Sequence, residues 1–436
     1  MLIEYAFQNF RSFADRTTLS MKAGAQTTLN NNLIRRDHKR YLPSAVIYGP
    51  NASGKSNIIM SLSLMREIIL QGGIDANAPN LTELEICPFA YNAASKPMGF
   101  DIEFENGGRC FQYTLMIEVE PFSSREKRRI VSEMLAMSNG KRLIPLFMRD
   151  KSKVSVQRTK PVFDDMLGGN EKLLNELEER INKNLDPTRL FLTNAFKSII
   201  NSEIADAVIG FFRDQLFVVS DFTLKSTNLM FSMEKLPDAD FVAWNRILDV
   251  FVKSADFGPQ KIMFRSKKSD DTHTAPMHLV SLYDVGDKQV MLPADMMESR
   301  GTIKLVDFAI PFVERFAKGG VFVIDEFDSA IHPELVKGIV ALFNDPNVNK
   351  EGAQLVFTTH NPIYLNNKMF RRDQILFVEK DRDSYRSVLY SLADFGSADV
   401  RNDQNYLINY FKGKYGALPY IDFAGLLKQP SGEEKP

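Results

Sequence analysis

Eight residues constrain this chain more than any other stretch: Gly49-Pro50-Asn51-Ala52-Ser53-Gly54-Lys55-Ser56. They read glycine, four residues, glycine, lysine, serine, which is the spacing of a phosphate-binding loop. From average residue usage, that spacing arises by chance in about 1–2% of chains this long. The flanks narrow the reading further. Ala45-Val46-Ile47-Tyr48 is a short apolar run expected as a buried strand, and Asn57-Ile58-Ile59-Met60-Ser61-Leu62-Ser63-Leu64-Met65 is expected as a helix. Between strand and helix, the glycines let backbone N–H groups turn inward around an anion with no Cβ in the way. The first helical turn adds unpaired N–H groups and a partial positive charge. In this chemistry Gly49, Asn51, Ser53, Gly54 and Asn57 belong to the nucleotide cradle. Lys55 reaches the β- and γ-phosphates, and the Ser56 hydroxyl holds Mg²⁺.

A second half of such a site is also legible. Gly319-Gly320-Val321-Phe322-Val323-Ile324-Asp325-Glu326 reads as a buried strand ending in two acids. At that strand end Asp325 organises Mg²⁺ through water, and Glu326 polarises an attacking water. The plain alternative is a strand capped by solvated acids, and the phosphate loop upstream weighs against it. Gln354-Leu355-Val356-Phe357-Thr358-Thr359-His360-Asn361-Pro362 is another apolar strand. It places His360 to touch the γ-phosphate or the attacking water, unless it is an ordinary surface histidine. Met297-Glu298-Ser299-Arg300-Gly301-Thr302 opens a helix, where a serine and a glycine make either a cap or an anion site. Pro311 is expected to kink or break that helix.

The remainder is read from periodicity. Strands are expected at Leu2-Ile3-Glu4-Tyr5-Ala6-Phe7 and Thr17-Thr18-Leu19-Ser20-Met21, either side of Asn9-Phe10-Arg11-Ser12-Phe13. There Arg11 is either a solvated edge residue or a nucleotide contact. Residues 22–44 are expected as loop. Phe100, Ile102 and Phe104, then Phe111, Tyr113, Leu115, Ile117 and Val119, alternate about Asn106-Gly107-Gly108 as a β-hairpin. Residues 125–160 are strongly basic, which fits solvated strand edges or a phosphate-backbone contact surface. An amphipathic helix is expected from Asn170 to Asn184, further helices around 189–212 and 238–254, and a polar loop at 266–275. Asp381-Arg382-Asp383 reads as a turn. Two cysteines and a net charge of -1 argue against a disulfide framework, a zinc site or a global pull toward nucleic acid. No apolar stretch approaches the ~20 residues that span a bilayer, and Met1-Leu2-Ile3-Glu4-Tyr5 lacks a signal-peptide pattern, so a cytoplasmic protein is expected.

Taken in order, these pieces resemble the ATP-binding-cassette superfamily, in its non-transporter branch with the SMC, RecF and OLD-type ATPases. More narrowly they resemble the bacterial AAA15 ATP-binding family. The resemblance rests on residues 9–13, the phosphate loop and Glu298-Ser299-Arg300-Gly301-Thr302, then on the stretch from Ile324 to Pro333 and on Thr359-His360-Asn361-Pro362. Arg372-Asp373-Gln374-Ile375 and Gly413-Lys414-Tyr415-Gly416-Ala417-Leu418-Pro419 match the narrower family. It covers both ends and is weak across roughly 120–290. It implies an α/β ATPase head, with a mixed sheet, an antiparallel subdomain and a mainly helical insertion. The expected division is 1–120 and 291–436 for the head and 121–290 for the basic and helical segment. It implies ATP and Mg²⁺ as ligands, slow hydrolysis, and a head-to-tail dimer or higher homo-oligomer. Lys55, Ser56, Asp325, Glu326 and His360 would act in one protomer, with Ser299 and Gly301 contacting the γ-phosphate held by the other. The departure from Leu-Ser-Gly-Gly-Gln bears on that last contact, and Gln71 and Gln112 are the candidates for a glutamine loop. The resemblance further implies a nuclease-like effector partner in anti-phage defence. The alternatives are a DNA-binding repair ATPase and an ATP-stabilised scaffold that sequesters a toxin.

Overall fold

The computed structural model describes residues 1–36, 38–75, 86–89, 96–120, 128–138, 140, 142–157, 171–220, 241–243, 253, 258–266, 277–396, 400, 401 and 404–419. The chain opens with β1 (Leu2–Gln8) and β2 (Thr17–Ser20), paired antiparallel with Tyr5 opposite Leu19. Phe10 and Phe13 close the turn between them by exchanging backbone hydrogen bonds of 2.9 Å, and both rings pack edge-on against Phe7. Residues 22–44, expected as loop, contain a small hairpin of β3 (Ile34–Arg36) and β4 (Lys39–Tyr41). Next, β5 (Ser44–Tyr48) enters the core with every residue buried, and α1 (Lys55–Gln71) follows the 49–56 loop.

The expected hairpin is β6 (Met98–Asn106) and β7 (Arg109–Val119), with the alternating set from Phe100 to Val119 facing inward. Adding β8 (Arg128–Ser138), β9 (Leu143–Asp150) and β10 (Lys153–Val156) gives a seven-stranded antiparallel sheet, β10-β9-β8-β7-β6-β1-β2. The basic stretch is partly inside this sheet. Arg128 and Arg149 are buried and Arg129 pairs with Glu118, while residues 125–127, 141 and 158–160 lie outside the described residues.

The segment after it carries strands as well as helices. α2 (Glu171–Lys183) presents Leu174 and Ile181 to the core. A π-helical run (Leu192–Ile200), α3 (Ser202–Gly210) and a second π-helical turn (Phe211–Gln215) lead into β11 (Leu216–Val219). A four-stranded antiparallel sheet, which periodicity did not reveal, follows from β12 (Phe241–Ala243), β13 (Lys261–Ser266), β14 (Met277–Val285) and β15 (Lys288–Pro293). Of the helix expected at 238–254, residues 241–243 are instead strand, paired with β13; apart from Lys253 the rest lies outside the described residues, as do 267–275 of the polar loop.

The chain continues with α4 (Ala294–Met297), α5 (Arg300–Phe316), β16 (Val321–Ile324), α6 (Pro333–Asn344) and β17 (Gln354–Thr359). It finishes with β18 (Ile375–Lys380), β19 (Ser387–Ser391) and α7 (Tyr406–Phe411). Pro311 does not end α5, which runs through it, because Phe308 and Phe312 on either side are held in the core. The second large sheet has the order β11-β16-β17-β5-β18-β19, parallel except for β19. Its central strands are covered on both faces, as continuous apolar runs require. Ala45, Ile47, Val321, Val323 and Val356 face α1 and the antiparallel sheet. Val46, Tyr48, Phe322, Ile324, Leu355 and Phe357 face α5 and α6. Two buried glutamine side chains fasten the strand starts. Gln354 accepts from the Leu2 N–H (2.7 Å) and donates to the Leu2 carbonyl (3.0 Å), and Gln374 donates to Ser44 (2.9 Å). No helix among the described residues is long and apolar enough to cross a membrane.

Candidate functional site

Parallel register puts three loop starts side by side. Tyr48 at the end of β5 lies opposite Thr359 of β17, and Ile324 at the end of β16 lies opposite Phe357. Gly49, Asp325 and His360 therefore leave the sheet at its carboxyl edge, where open parallel sheets take ligands.

The 49–56 loop is pressed from behind. At Gly49 an added Cβ would stand 2.5 Å from the Val378 carbonyl oxygen. Gly54 has φ +111, and a Cβ there would stand 2.7 Å from both Ser12 Oγ and Ser387 Oγ. Those two hydroxyls, 2.8 Å apart, brace the loop: Ser387 Oγ donates to the Ser53 carbonyl (2.5 Å), and Asn57 Nδ2 donates to Ser12 Oγ (2.8 Å). Since Gly54 is the cap of α1, no side chain caps its first turn; the Asn57 N–H reaches the Gly54 carbonyl (3.0 Å), and the N–H groups of Lys55 and Ser56 are placed for an anion. Ser53 Oγ is buried without a hydrogen-bond partner, as an acceptor or donor awaiting a ligand would be. Asn51 is exposed at the loop tip, and Ser56 is half-buried on the first helical turn.

Lys55 is buried, and its Nζ donates to the carbonyls of Gly49 (2.9 Å) and Pro50 (3.1 Å). It also lies 3.2 Å from His360 Nδ1. Burial lowers its pKa to about 8, against the pull of Asp325 and Glu326. An ammonium only donates, so Nδ1 accepts and the histidine proton sits on Nε2, which faces Glu326 Oε1 at 3.4 Å. Lysine, histidine and glutamate thus form one chain of contacts across two strand ends.

Asp325 is held by Thr358, whose Oγ1 donates to Oδ1 at 2.5 Å and accepts from the Glu326 N–H at 2.7 Å. Glu326 adopts φ +44, a left-handed conformation that costs a non-glycine residue of order 1–3 kcal/mol and gathers at functional sites. Next to it, burial raises the Asp328 carboxyl, which accepts from Thr359 Oγ1 at 2.8 Å.

The remaining candidates stand apart from this chain of contacts. Ser299 caps α5, accepting from the Thr302 N–H at 3.1 Å, and Gly301 packs against Ala330. The Arg11 guanidinium sits 2.7 Å from Met60 Sδ, one turn along α1 from Ser56, and over the Phe10 ring. Gln112 is engaged with Asp101 inside the antiparallel sheet, while Gln71 ends α1. Sequence reasoning missed Ser12, Ser387 and Thr358. Only Thr358 left a signal, a polar residue closing an apolar strand just before His360.

The Cβ-excluding glycines, the uncapped helix start, the orphaned Ser53 hydroxyl and the buried ammonium fit a triphosphate. Ser56 and Asp325 carry oxygen atoms of the kind that would hold Mg²⁺ alongside phosphates and water.

An Smc head domain from Pyrococcus furiosus, solved with an extended coiled coil and bound to the C-terminal domain of ScpA, is 14% identical at a TM-score of 0.40, over 89% of this chain and 96% of that one. An SMC head domain from Thermotoga maritima is 15% identical at a TM-score of 0.34, over 89% and 98%. No curated protein matches the chain by sequence. A family model does, across residues 44–366, a span that holds the phosphate loop, Ser299, Asp325, Glu326 and His360. The chain belongs to that family, described as "AAA domain, putative AbiEii toxin, Type IV TA system".

Proposed function

We propose that this chain binds Mg-ATP on the 49–56 loop and hydrolyses it with Glu326 as general base. We further propose that two copies close head to tail around two nucleotides, as a switch acting on a partner effector. The observation that carries the reading is the continuity of Lys55, His360 and Glu326 at one sheet edge. Carbonyl oxygens hold the Lys55 ammonium in place of phosphate oxygens, so nucleotide entry exchanges one set of acceptors for another. That exchange releases His360 Nδ1, leaving the ring to orient toward the γ-phosphate while Nε2–H steadies Glu326. Glu326 then accepts the proton of the attacking water. Ser56 and Asp325 would hold Mg²⁺, which would supply neutralising charge on the phosphates.

Completion by a second copy is supported by the start of α5. Ser299 and Arg300 are exposed there beside exposed Met296 and Met297, so that this helix start is open to another molecule. The effector reading, a nuclease-like partner in anti-phage defence, rests on the AAA15 resemblance, while the family description, which names a toxin–antitoxin system, supports only a chain that acts in a pair. A DNA-gripping role for residues 125–160 has less support, because Arg128 and Arg149 are buried and Arg129 is paired.

Light scattering of the Glu326→Gln protein tests the switch. ATP should produce a larger or more compact assembly, and no change on ATP would remove the closing step. Phage plating on cells carrying the native locus, intact or Glu326→Gln, tests the purpose. Equal plaque counts for intact, mutant and empty cells across a broad panel would remove the defence role.

A further inference from the structure

The start of α5 is fastened to the turn that carries Glu326. Lys304, five residues after the Ser299 cap, is buried, and its Nζ donates to the carbonyls of Glu326 (2.6 Å) and Ser329 (3.4 Å). On the same side Gly301 approaches so closely that a Cβ would stand 2.0 Å from the Ala330 carbonyl oxygen. The turn is wound with two left-handed non-glycine residues, Glu326 (φ +44) and Ala330 (φ +63). Such a turn persists only when its surroundings hold it. Thr358 Oγ1 takes the Glu326 N–H from the β17 side, and Lys304 takes the Glu326 carbonyl from the α5 side.

We propose that Lys304 is a positioning residue: by binding the Glu326 carbonyl it ties the aim of the Glu326 carboxylate to the position of α5. When Ser299 engages the other protomer's nucleotide, the helix start shifts, and Lys304 carries that shift into the turn. This rests on the roles proposed above for Glu326 and Ser299. The carboxylates facing the ammonium are Asp328, Glu326 and Asp325, and burial lowers its pKa to about 8 against them. The competing account is that Lys304 only fills and neutralises the turn.

Lys304→Met keeps the length and removes the donor, and Lys304→Gln keeps a shorter donor. On the full chain, binding of a fluorescent ATP analogue and single-turnover hydrolysis are measured, alone and combined with Glu326→Gln. The expected result is nucleotide affinity within about threefold of wild type, with hydrolysis down about 10- to 100-fold, the scale of a small misplacement of a catalytic group. Lys304→Gln should fall between, and it carries the comparison if Lys304→Met does not fold. Added to Glu326→Gln, either change should cost nothing further, since residues acting as a unit are non-additive. Hydrolysis within threefold of wild type in a folded variant would overturn the inference, as would losses that multiply in the double variant. If Glu326→Gln alone hydrolyses at the wild-type rate, the reading of Glu326 as base fails first, and this inference falls with it.

Discussion

Lys55, at the start of α1 beside the parallel sheet, and Arg149, within the antiparallel sheet, are both buried cations among backbone carbonyls. Arg149 donates to the carbonyls of Lys151 (3.0 Å), Arg189 (2.6 Å) and Asp186 (2.8 Å) and faces Glu133 at 3.9 Å. Glu133 is itself saturated by Tyr113 OH and by the N–H groups of Phe191 and Leu192, at 2.7–2.9 Å. The two side chains are fully buried, and their partners come from fixed segments on three sides. Lys55 instead leans on two carbonyls of one loop, beside an unpartnered serine hydroxyl and an exposed loop tip. The difference lies in whether the partners can be exchanged. A buried ion with saturated, immobile partners fixes a fold, whereas one with a replaceable set is placed for a ligand.

The largest effect should fall on the exchangeable side. Glu326→Gln keeps the shape and loses the proton acceptor, so turnover should drop by about 10²- to 10⁴-fold while nucleotide is still bound. Phosphate release against nucleotide binding measures both, and wild-type turnover would show that the base is elsewhere. Next comes the fixed side. Arg149→Met strands three carbonyls and takes the counter-charge from Glu133, and breaking a buried pair in this way costs about 3–5 kcal/mol. Urea unfolding should register that loss while the folded variant binds ATP normally. Unchanged stability with weakened ATP binding would reverse the distinction drawn between the two cations.

This distinction shows what the sequence could and could not reveal. The phosphate loop was legible because glycine spacing is a local consequence of backbone geometry. Asp325 was legible because it closes a run of apolar residues, and His360 because it follows a run that ends in two threonines. The β6–β7 hairpin followed from alternation about two glycines. Arg149 read as one more member of a basic surface, since two of its three carbonyl partners lie about forty residues further on and leave no mark beside it. Ser12 and Ser387 are separated by 375 positions yet brace one loop, and no local pattern reports such a meeting. The π-helical run from Leu192 has a pitch that a 3.6-residue pattern does not describe, and the β12–β15 sheet was hidden because strands such as Met277–Val285 keep no strict apolar–polar alternation.

A smaller effect sharpens the same contrast. Lys55→Ala removes a charged donor to phosphate, worth roughly 1.5–3 kcal/mol, or about 10- to 150-fold in nucleotide affinity. The fold should barely notice, because the Gly49 and Pro50 carbonyls sit in a loop beside solvent-exposed residues. Titration with a fluorescent ATP analogue measures the first and thermal unfolding the second. Unchanged affinity would remove the central claim about the loop.

The smallest effect is a pH dependence, and its sign follows from the burial of Lys55. Burial lowers the lysine to about 8, so above that pH the nucleotide-free protein gives up the proton. Phosphate oxygens favour the ammonium, so nucleotide must restore that proton on binding. Affinity should therefore be flat below pH 7 and fall as pH rises through 8, by about tenfold per further unit until the nucleotide-bound lysine itself titrates. A terminal phosphate loses its last proton near pH 6, as a phosphate monoester does, so it is ionised above pH 8 and adds no slope where the lysine titrates. Lys304 is lowered to about 8 as well, but it faces the carbonyls of Glu326 and Ser329 rather than phosphate. Binding measured from pH 6.5 to 9.5 should thus lose its slope in Lys55→Ala and keep it in Lys304→Met. A slope that survives Lys55→Ala would mean that some other group titrates, and that the carbonyl-bound lysine is not the one exchanged for phosphate.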